Sequence, residues 1–470
     1  MNIIVFTHRL LAGIPLLMKI ILLLTAILLS VISFSQESDS LILRQIFENA
    51  ITNQDAYKNL EYLCTEAPGR LVGSPESLKA LEYMKQYAES IGCDTVYMQE
   101  YVSKAWRCDS TVVYLMLTGG LAVKLDADAI GPSPATPEHG VSASVVEVMG
   151  LDELQAMGED RIRGKIVFFN RPMKQTFVNT FQAYGNAADQ RYRGPGVAAS
   201  MGAVAVIVRS LTAGIDNFPH TGSTRFDSLR IPAVAVSTMA AETLSAMLKN
   251  GMGEEVLIRV DVQDLEPIST YNLIAEIRGT EKPEEIIVVG GHIDAWFNSP
   301  GAHDDGGGCV QSMDVLRVFK ELGIRNKHTI RAVMFMDEEL YQGGGKAYAD
   351  YTHARGERTF FALEADAGAF TPEGFMVDAP DSVYRQVAAF RKLLAPYGIH
   401  YIRKGGTGVD IAPLKAFHVP LSGFRTDSQR YFDLHHSAND TFDKINFREL
   451  ELGITCMAGL IFLIDQKEEW

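Results

Sequence analysis

Cysteine is scarce in this chain and poorly arranged for structural chemistry. The five cysteines, Cys64, Cys93, Cys108, Cys309 and Cys456, are odd in number and show no CxxC spacing. At most one or two disulfides could form, and a cysteine zinc site is excluded. Positive charge is also in short supply: 43 Lys and Arg stand against 58 Asp and Glu, for a net charge of −15 and a pI near 5.3. With no basic stripe, nucleic acid is not expected as a partner. Long apolar runs are missing too, because nothing after the first 35 residues is long and apolar enough to span a bilayer, so no membrane segment is expected in the mature form.

Those first 35 residues differ from the rest. The stretch "HRLLAGIPLLMKIILLLTAILLSVISFSQ" holds basic residues, an apolar run from Ile20 to Ile32, and small residues before Gln36. It reads as a secretory signal peptide, with Met18 as an alternative start and cleavage after Ser35. A retained membrane anchor is the runner-up. No cysteine stands at the expected cut, which argues against a lipoprotein, and the mature protein is expected to be secreted or periplasmic.

What is present is an ordinary globular composition, 47% hydrophobic and 21% charged over 470 residues, enough for two or three domains. Helices are expected over Ser38–Asn59 and Glu76–Ile91, the second capped by Ser74 with Pro75 at its first position. From about Leu125 to Asp264, short β-branched runs separated by turn-rich loops predict an inserted, strand-rich unit. In the C-terminal half, apolar runs at 284–291, 329–336, 358–365 and 418–424 have strand length and mostly alternate with helical segments. After "DDGGG", Cys309, Met313, Leu316 and Phe319 fall at helical spacing. Apolar strands alternating with amphipathic helices predict a mostly parallel, mixed sheet sandwiched by helices, with ligands gathered beyond the carboxyl ends of its strands.

Three of those strands end in metal-competent residues. "GGHIDAW" carries His292 and Asp294, "MDEELYQGG" carries Asp337, Glu338 and Glu339, and "EADAG" carries Glu364 and Asp366. "GAHDDGGG" adds Asp304 and Asp305, and "HHSANDT" adds His435 and His436. Any one fragment alone would pass for a polar loop; their joint placement after successive buried strands points to one shared cleft. Imidazole with carboxylate suits zinc or a similar transition metal, whereas calcium would take oxygen alone. Several carboxylates with two histidines suit a pair of zinc ions about 3.5–4 Å apart. His303 stands beside Asp304 and is expected at most to line the cleft. His139, His220, His328, His353, His400 and His418 read as structural.

Together these motifs resemble those of metallopeptidase family 28, the co-catalytic di-zinc exopeptidases, over nearly the whole chain after the leader. The resemblance implies the zinc exopeptidase (phosphorylase/hydrolase-like) α/β fold. Residues 125–264, with "RGKIVFFNRP" and "GPGVAASMGAVAVIV", resemble the protease-associated domain that such enzymes carry as an insert. The implied organisation is a leader over 1–35, the first part of the peptidase domain over 36–124, the insert over 125–264, and the rest of the peptidase domain with its di-zinc site over 265–470.

By the same resemblance two Zn2+ ions bind per chain, one held by His292 and Asp366, the other by Glu339 and His436, with Asp304 between them. His436 is preferred to His435 because relatives place the ligand His four residues before the acidic residue of "DT", here Asp440. Asp294 would orient His292, and Glu338 would be the general base. His435, where several relatives have Tyr, would donate to the oxygen of the tetrahedral intermediate. "GVDIAPLKAF" keeps Asp410 but has Ile411 where many relatives have His. The implied activity is hydrolysis of dipeptides or short peptides, with carboxypeptidase, aminopeptidase and dipeptidase action all open. An aminopeptidase on longer peptides is the nearest alternative. A non-catalytic receptor-like module would have lost a ligand or the base, and neither is lost here. The oligomeric state stays open, a homodimer included.

Overall fold

A computed structural model describes residues 39–470. The leader expected over 1–35 lies outside them, and among the described residues no helix is long and apolar enough to cross a membrane. Near the N-terminus, the single helix expected to run on to Asn59 is two: residues 39–52 and Asp55–Glu66. The break has a local cause, since the Asn53 Oδ1 accepts from the Asp55 N–H at 2.6 Å and so offers the backbone an alternative to the helix. The next helix, Pro75–Ser90, is capped as its sequence predicts, with Ser74 Oγ accepting from Ser77 N–H at 3.1 Å.

The larger of two sheets has ten strands. Two long strands, β1 (Thr95–Leu117) and β2 (Gly253–Ile277), form an antiparallel ribbon that runs from the sheet towards the smaller unit. Beside it lie β3 (Lys282–His292), β4 (His328–Phe335), β5 (Arg358–Glu364) and β6 (Leu421–Thr426), in the spatial order β6, β5, β3, β4, β2, β1. The four central strands are mutually parallel and β2 pairs antiparallel with β4, so the sheet is mixed, as expected. Pro372–Asp378 and Tyr401–Lys404 extend the β6 side, and Ala122–Leu125 borders β1.

The continuous apolar run of β3 makes sense in this setting. Ile287 and Val289 belong to one buried cluster with Met313 and Leu316 of the helix Gly307–Leu322, while Ile286 and Val288 belong to another with Phe335 and Tyr348. Alternate residues therefore face helices on opposite sides, each fully buried side chain contributing about 1.5–3 kcal/mol.

The smaller sheet has five strands in the order Ala127–Ala129, Ala233–Val236, Ala205–Arg209, Ile166–Phe169, Val145–Val148. The last four are parallel to one another. They enclose an apolar cluster of their own that includes Val167, Phe169, Val206 and Ala235. Asp264, taken from sequence as the end of this unit, lies within β2 opposite Trp106 of β1.

Candidate metal centre

The parallel register brings the strand ends together. His292, the last residue of β3, is paired with Phe335 at the end of β4, so the turn carrying Asp337, Glu338 and Glu339 starts beside it. On the other side Gly290 is paired with Glu364, which sets Asp366 two residues beyond the same edge. The glycines around "GGH" and "DDGGG" have a steric reason. A Cβ on Gly291 would stand 2.3 Å from Asp305 Oδ2, and one on Gly308 2.0 Å from the Ala365 carbonyl oxygen. Only bare backbone lets Asp305 accept from His292 N–H and Gly308 N–H, both at 3.1 Å, and tie the strand end to the helix start.

Five side chains converge there. His292 Nε2 lies 3.2 Å from Asp304 Oδ1 and 3.7 Å from Asp366 Oδ1. His436 Nε2 lies 3.0 Å from Glu339 Oε2 and 3.3 Å from Asp304 Oδ2. Asp304 thus turns one oxygen to each histidine. His435 is adjacent, its Nε2 3.7 Å from Asp304 Oδ2 and its ring stacked on His436 at 3.5 Å. Possible ligand atoms of His292, Asp304 and Asp366, and likewise of Asp304, His435 and His436, all lie within 4.8 Å of one another.

This donor set fits a cation. Asp304 Oδ2 and Glu339 Oε1 are buried and make no hydrogen bond, which is costly for an acceptor unless something positive satisfies it. Burial, followed by the negative charge of Asp304, pushes the Glu339 carboxyl well above its ordinary range. Burial would lower His292, yet Asp294, Asp304 and Asp366 raise it well above the usual value. Carboxylates packed this closely repel one another, and a bound cation inverts that balance. Imidazole with carboxylate and no thiolate suits zinc.

Asp294 is fully buried and holds the turn after β4. Its two carboxylate oxygens accept from Glu338 N–H at 3.2 Å and Glu339 N–H at 3.3 Å. Its carbonyl oxygen lies 3.1 Å from His292 Nδ1 and can only accept, so Nδ1 carries the proton and Nε2 is left to face the centre. The carboxylate itself stands 3.6 Å from that nitrogen. Glu338 is half-buried at the wall of the cleft. Burial, with Asp366, Glu339 and Asp294 nearby, pushes its carboxyl well above the ordinary range against the pull of His292.

Other acidic residues from the same motifs are engaged elsewhere. The Asp337 carboxylate accepts from Ser103 Oγ at 2.6 Å and Tyr341 N–H at 3.1 Å, and burial raises it to about 8. Glu364 accepts from Ile411 N–H at 2.8 Å. Ile411 is itself fully buried, in the cluster with Val288 and Phe335, and its loop reaches the cleft through Val409 instead. His303 does not line the cleft: it is 1% exposed, stacks on Phe370 at 3.9 Å, and accepts at Nδ1 from Ala369 N–H.

Two further residues support the centre, and only the second, Asp440 of "HHSANDT", belongs to a motif. Arg70, fully buried, donates to the carbonyls of Ile293, Pro300 and Gly301 and so braces both loops flanking His292 and Asp304. Arg70→Met would strand these three acceptors at about 1–3 kcal/mol each. Urea denaturation is therefore expected to show a loss of about 3 kcal/mol or more, and a loss under 1 kcal/mol would contradict this role. Asp440 accepts from His303 N–H and Asp304 N–H, at 2.9 and 3.0 Å, fixing Asp304 from the opposite side.

The cleft over the centre has a volume of about 500 Å³. It is lined by Asp304, Glu338, Glu339, Asp366 and His436, and from the smaller unit by Phe181, Tyr184 and Arg191. Phe181 stacks on Tyr431 and Tyr184 on Phe432, at 5.2 and 4.5 Å, so the two units meet in an aromatic seam beside the site.

Residues 272–457 match the model of peptidase family M28. The chain is 30% identical over 417 residues to carboxypeptidase Q of Bos taurus, covering 88% of this chain and 86% of that one. It is 30% identical over 419 residues to carboxypeptidase Q of Homo sapiens, with the same coverage. The crystal structure of a peptidase M28 precursor from Shewanella amazonensis SB2B superposes with a TM-score of 0.87 at 30% identity, covering 92% of this chain and 98% of that one. A zinc aminopeptidase of Bacillus subtilis shares the fold, with a TM-score of 0.65 at 18% identity over 87% of this chain and 94% of that one.

Proposed function

The chain belongs to peptidase family M28 and is a metallopeptidase, and from that premise we propose that it is a secreted or periplasmic di-zinc exopeptidase acting on dipeptides or short peptides. His292 and Asp366 would hold one zinc ion, Glu339 and His436 the other, and Asp304 would bridge them. The observation that carries this is Asp304, which offers one carboxylate oxygen to each histidine at 3.2 and 3.3 Å.

When bound, zinc supplies the Lewis acidity that polarises a peptide carbonyl and makes water a nucleophile near neutral pH. Glu338 takes a proton from the attacking water and returns it to the departing amine. Asp294 keeps Glu338 and Glu339 in separate jobs by holding both of their amides. His435 donates to the carbonyl oxygen as negative charge develops there. The smaller unit, read as a protease-associated insert, walls the cleft and restricts it to short chains with a free terminus.

Elemental analysis of zinc-replete protein is expected to find two tightly held ions per chain; one or none would overturn the ligand assignment. In the same preparation, dipeptides with free and blocked termini distinguish the activities. Cleavage of free dipeptides supports the proposal. Efficient cutting within a long, doubly blocked peptide contradicts it, and preferential trimming of long peptides from the N-terminus favours an aminopeptidase.

A further inference from the structure

The ligand loop is gripped from the smaller unit by His220, which sequence alone marks as structural, and by its neighbour Thr221. His436 has φ of 60°, a left-handed backbone that a non-glycine residue holds only when its surroundings impose it. On one side the His220 ring nitrogen Nδ1 lies 2.7 Å from the His435 carbonyl oxygen, which can only accept. On the other, Thr221 N–H donates to the His436 carbonyl at 3.0 Å, while the Thr221 carbonyl lies 3.2 Å from His436 Nδ1. That carbonyl takes a second hydrogen bond, 2.9 Å, from the buried Arg191. His220 is fully buried and its backbone N–H is anchored on Ser210 Oγ at 2.8 Å.

We propose that His220 and Thr221 are positioning residues for the metal centre: they hold the strained His435–His436 loop in place and fix the proton of His436 on Nδ1, leaving Nε2 free to ligate. The inference rests on His436 being a ligand, and it makes the smaller unit a part of the metal site rather than a cover over it. Thr221 acts through its backbone, so His220 is the residue that substitution can reach.

Hydrogen-bond partners behind a ligand typically change metal affinity by about 10- to 100-fold. Zinc transfer to a chromogenic chelator is expected to show that weakening in His220→Ala, alongside the lower melting temperature that loss of a fully buried ring brings to the zinc-free protein. His220→Asn, whose side-chain amide restores a donor near Nδ1, is expected to recover most of the affinity. The proposal is overturned if His220→Ala holds zinc as tightly as the unsubstituted protein. It is equally overturned if His220→Asn loses zinc as readily as His220→Ala, because a donor there would then not matter. His436→Ala separates the two levels. If it keeps both ions, the ligand assignment itself fails; if it sheds one while His220→Ala sheds none, only the positioning role fails.

Discussion

Glu338→Gln is expected to lower kcat by about 100- to 10,000-fold, the usual range for a general acid or base, or about 3–5 kcal/mol of barrier, while two zinc ions remain bound. The amide keeps the shape of the carboxylate and its place at the cleft wall but cannot accept a proton. The ligand set should survive, because what the neighbouring turn needs from residue 338 is its backbone N–H, donated to Asp294 at 3.2 Å. It is Glu339 whose carboxylate lies 3.0 Å from His436 Nε2. Activity and zinc content measured on one preparation decide the matter. Zinc lost from Glu338→Gln would mean that the two glutamates have exchanged roles, and full activity with zinc retained would remove Glu338 from the chemistry. The non-catalytic alternative is tested at the same time, since it requires the unsubstituted protein to be inactive.

The residues of this centre were legible in the sequence because each is local to a strong signal. His292, Glu339 and Asp366 follow apolar strands buried on both faces, and a parallel sheet puts the ends of such strands at one edge. The β1–β2 ribbon was much less legible. Buried positions are scattered along β1, the ribbon is bulged near Ser103 and Cys108, and it pairs residues more than 130 positions apart, such as Thr111 with Val260. Pro372–Asp378 and Tyr401–Lys404 are outer strands with exposed or half-buried positions, so their apolar runs are short. Arg70 and His220 fail to stand out for another reason. Both act on carbonyl groups more than 200 residues away, and a carbonyl carries no side-chain identity for a sequence to display. Asn53 shows the opposite limit: a two-residue hydrogen bond divides a helix whose apolar spacing alone runs on.

The second large effect concerns the paired histidines. His435→Ala is expected to keep both zinc ions and lower the turnover rate by roughly a hundredfold or more, whereas His436→Ala should lose zinc. The two rings stack at 3.5 Å, yet their surroundings differ. His436 Nδ1 is tied to the Thr221 carbonyl and its Nε2 points between Glu339 and Asp304, as a ligand held from behind would. His435 lies 3.7 Å from Asp304, and its Nδ1 is buried without a hydrogen-bond partner. Burial, reinforced by His436 and Arg191, holds this ring well below the usual histidine range and therefore neutral, with one N–H to donate. It lines the same cleft as Glu338. Donors aimed at a carbonyl oxygen gaining charge contribute about 3–4 kcal/mol each. His435→Gln, which retains an N–H, should recover part of the rate lost in His435→Ala. If zinc is instead lost at 435 and retained at 436, the two histidines have the opposite assignment, and the Thr221 hydrogen bond steadies the donor rather than the ligand.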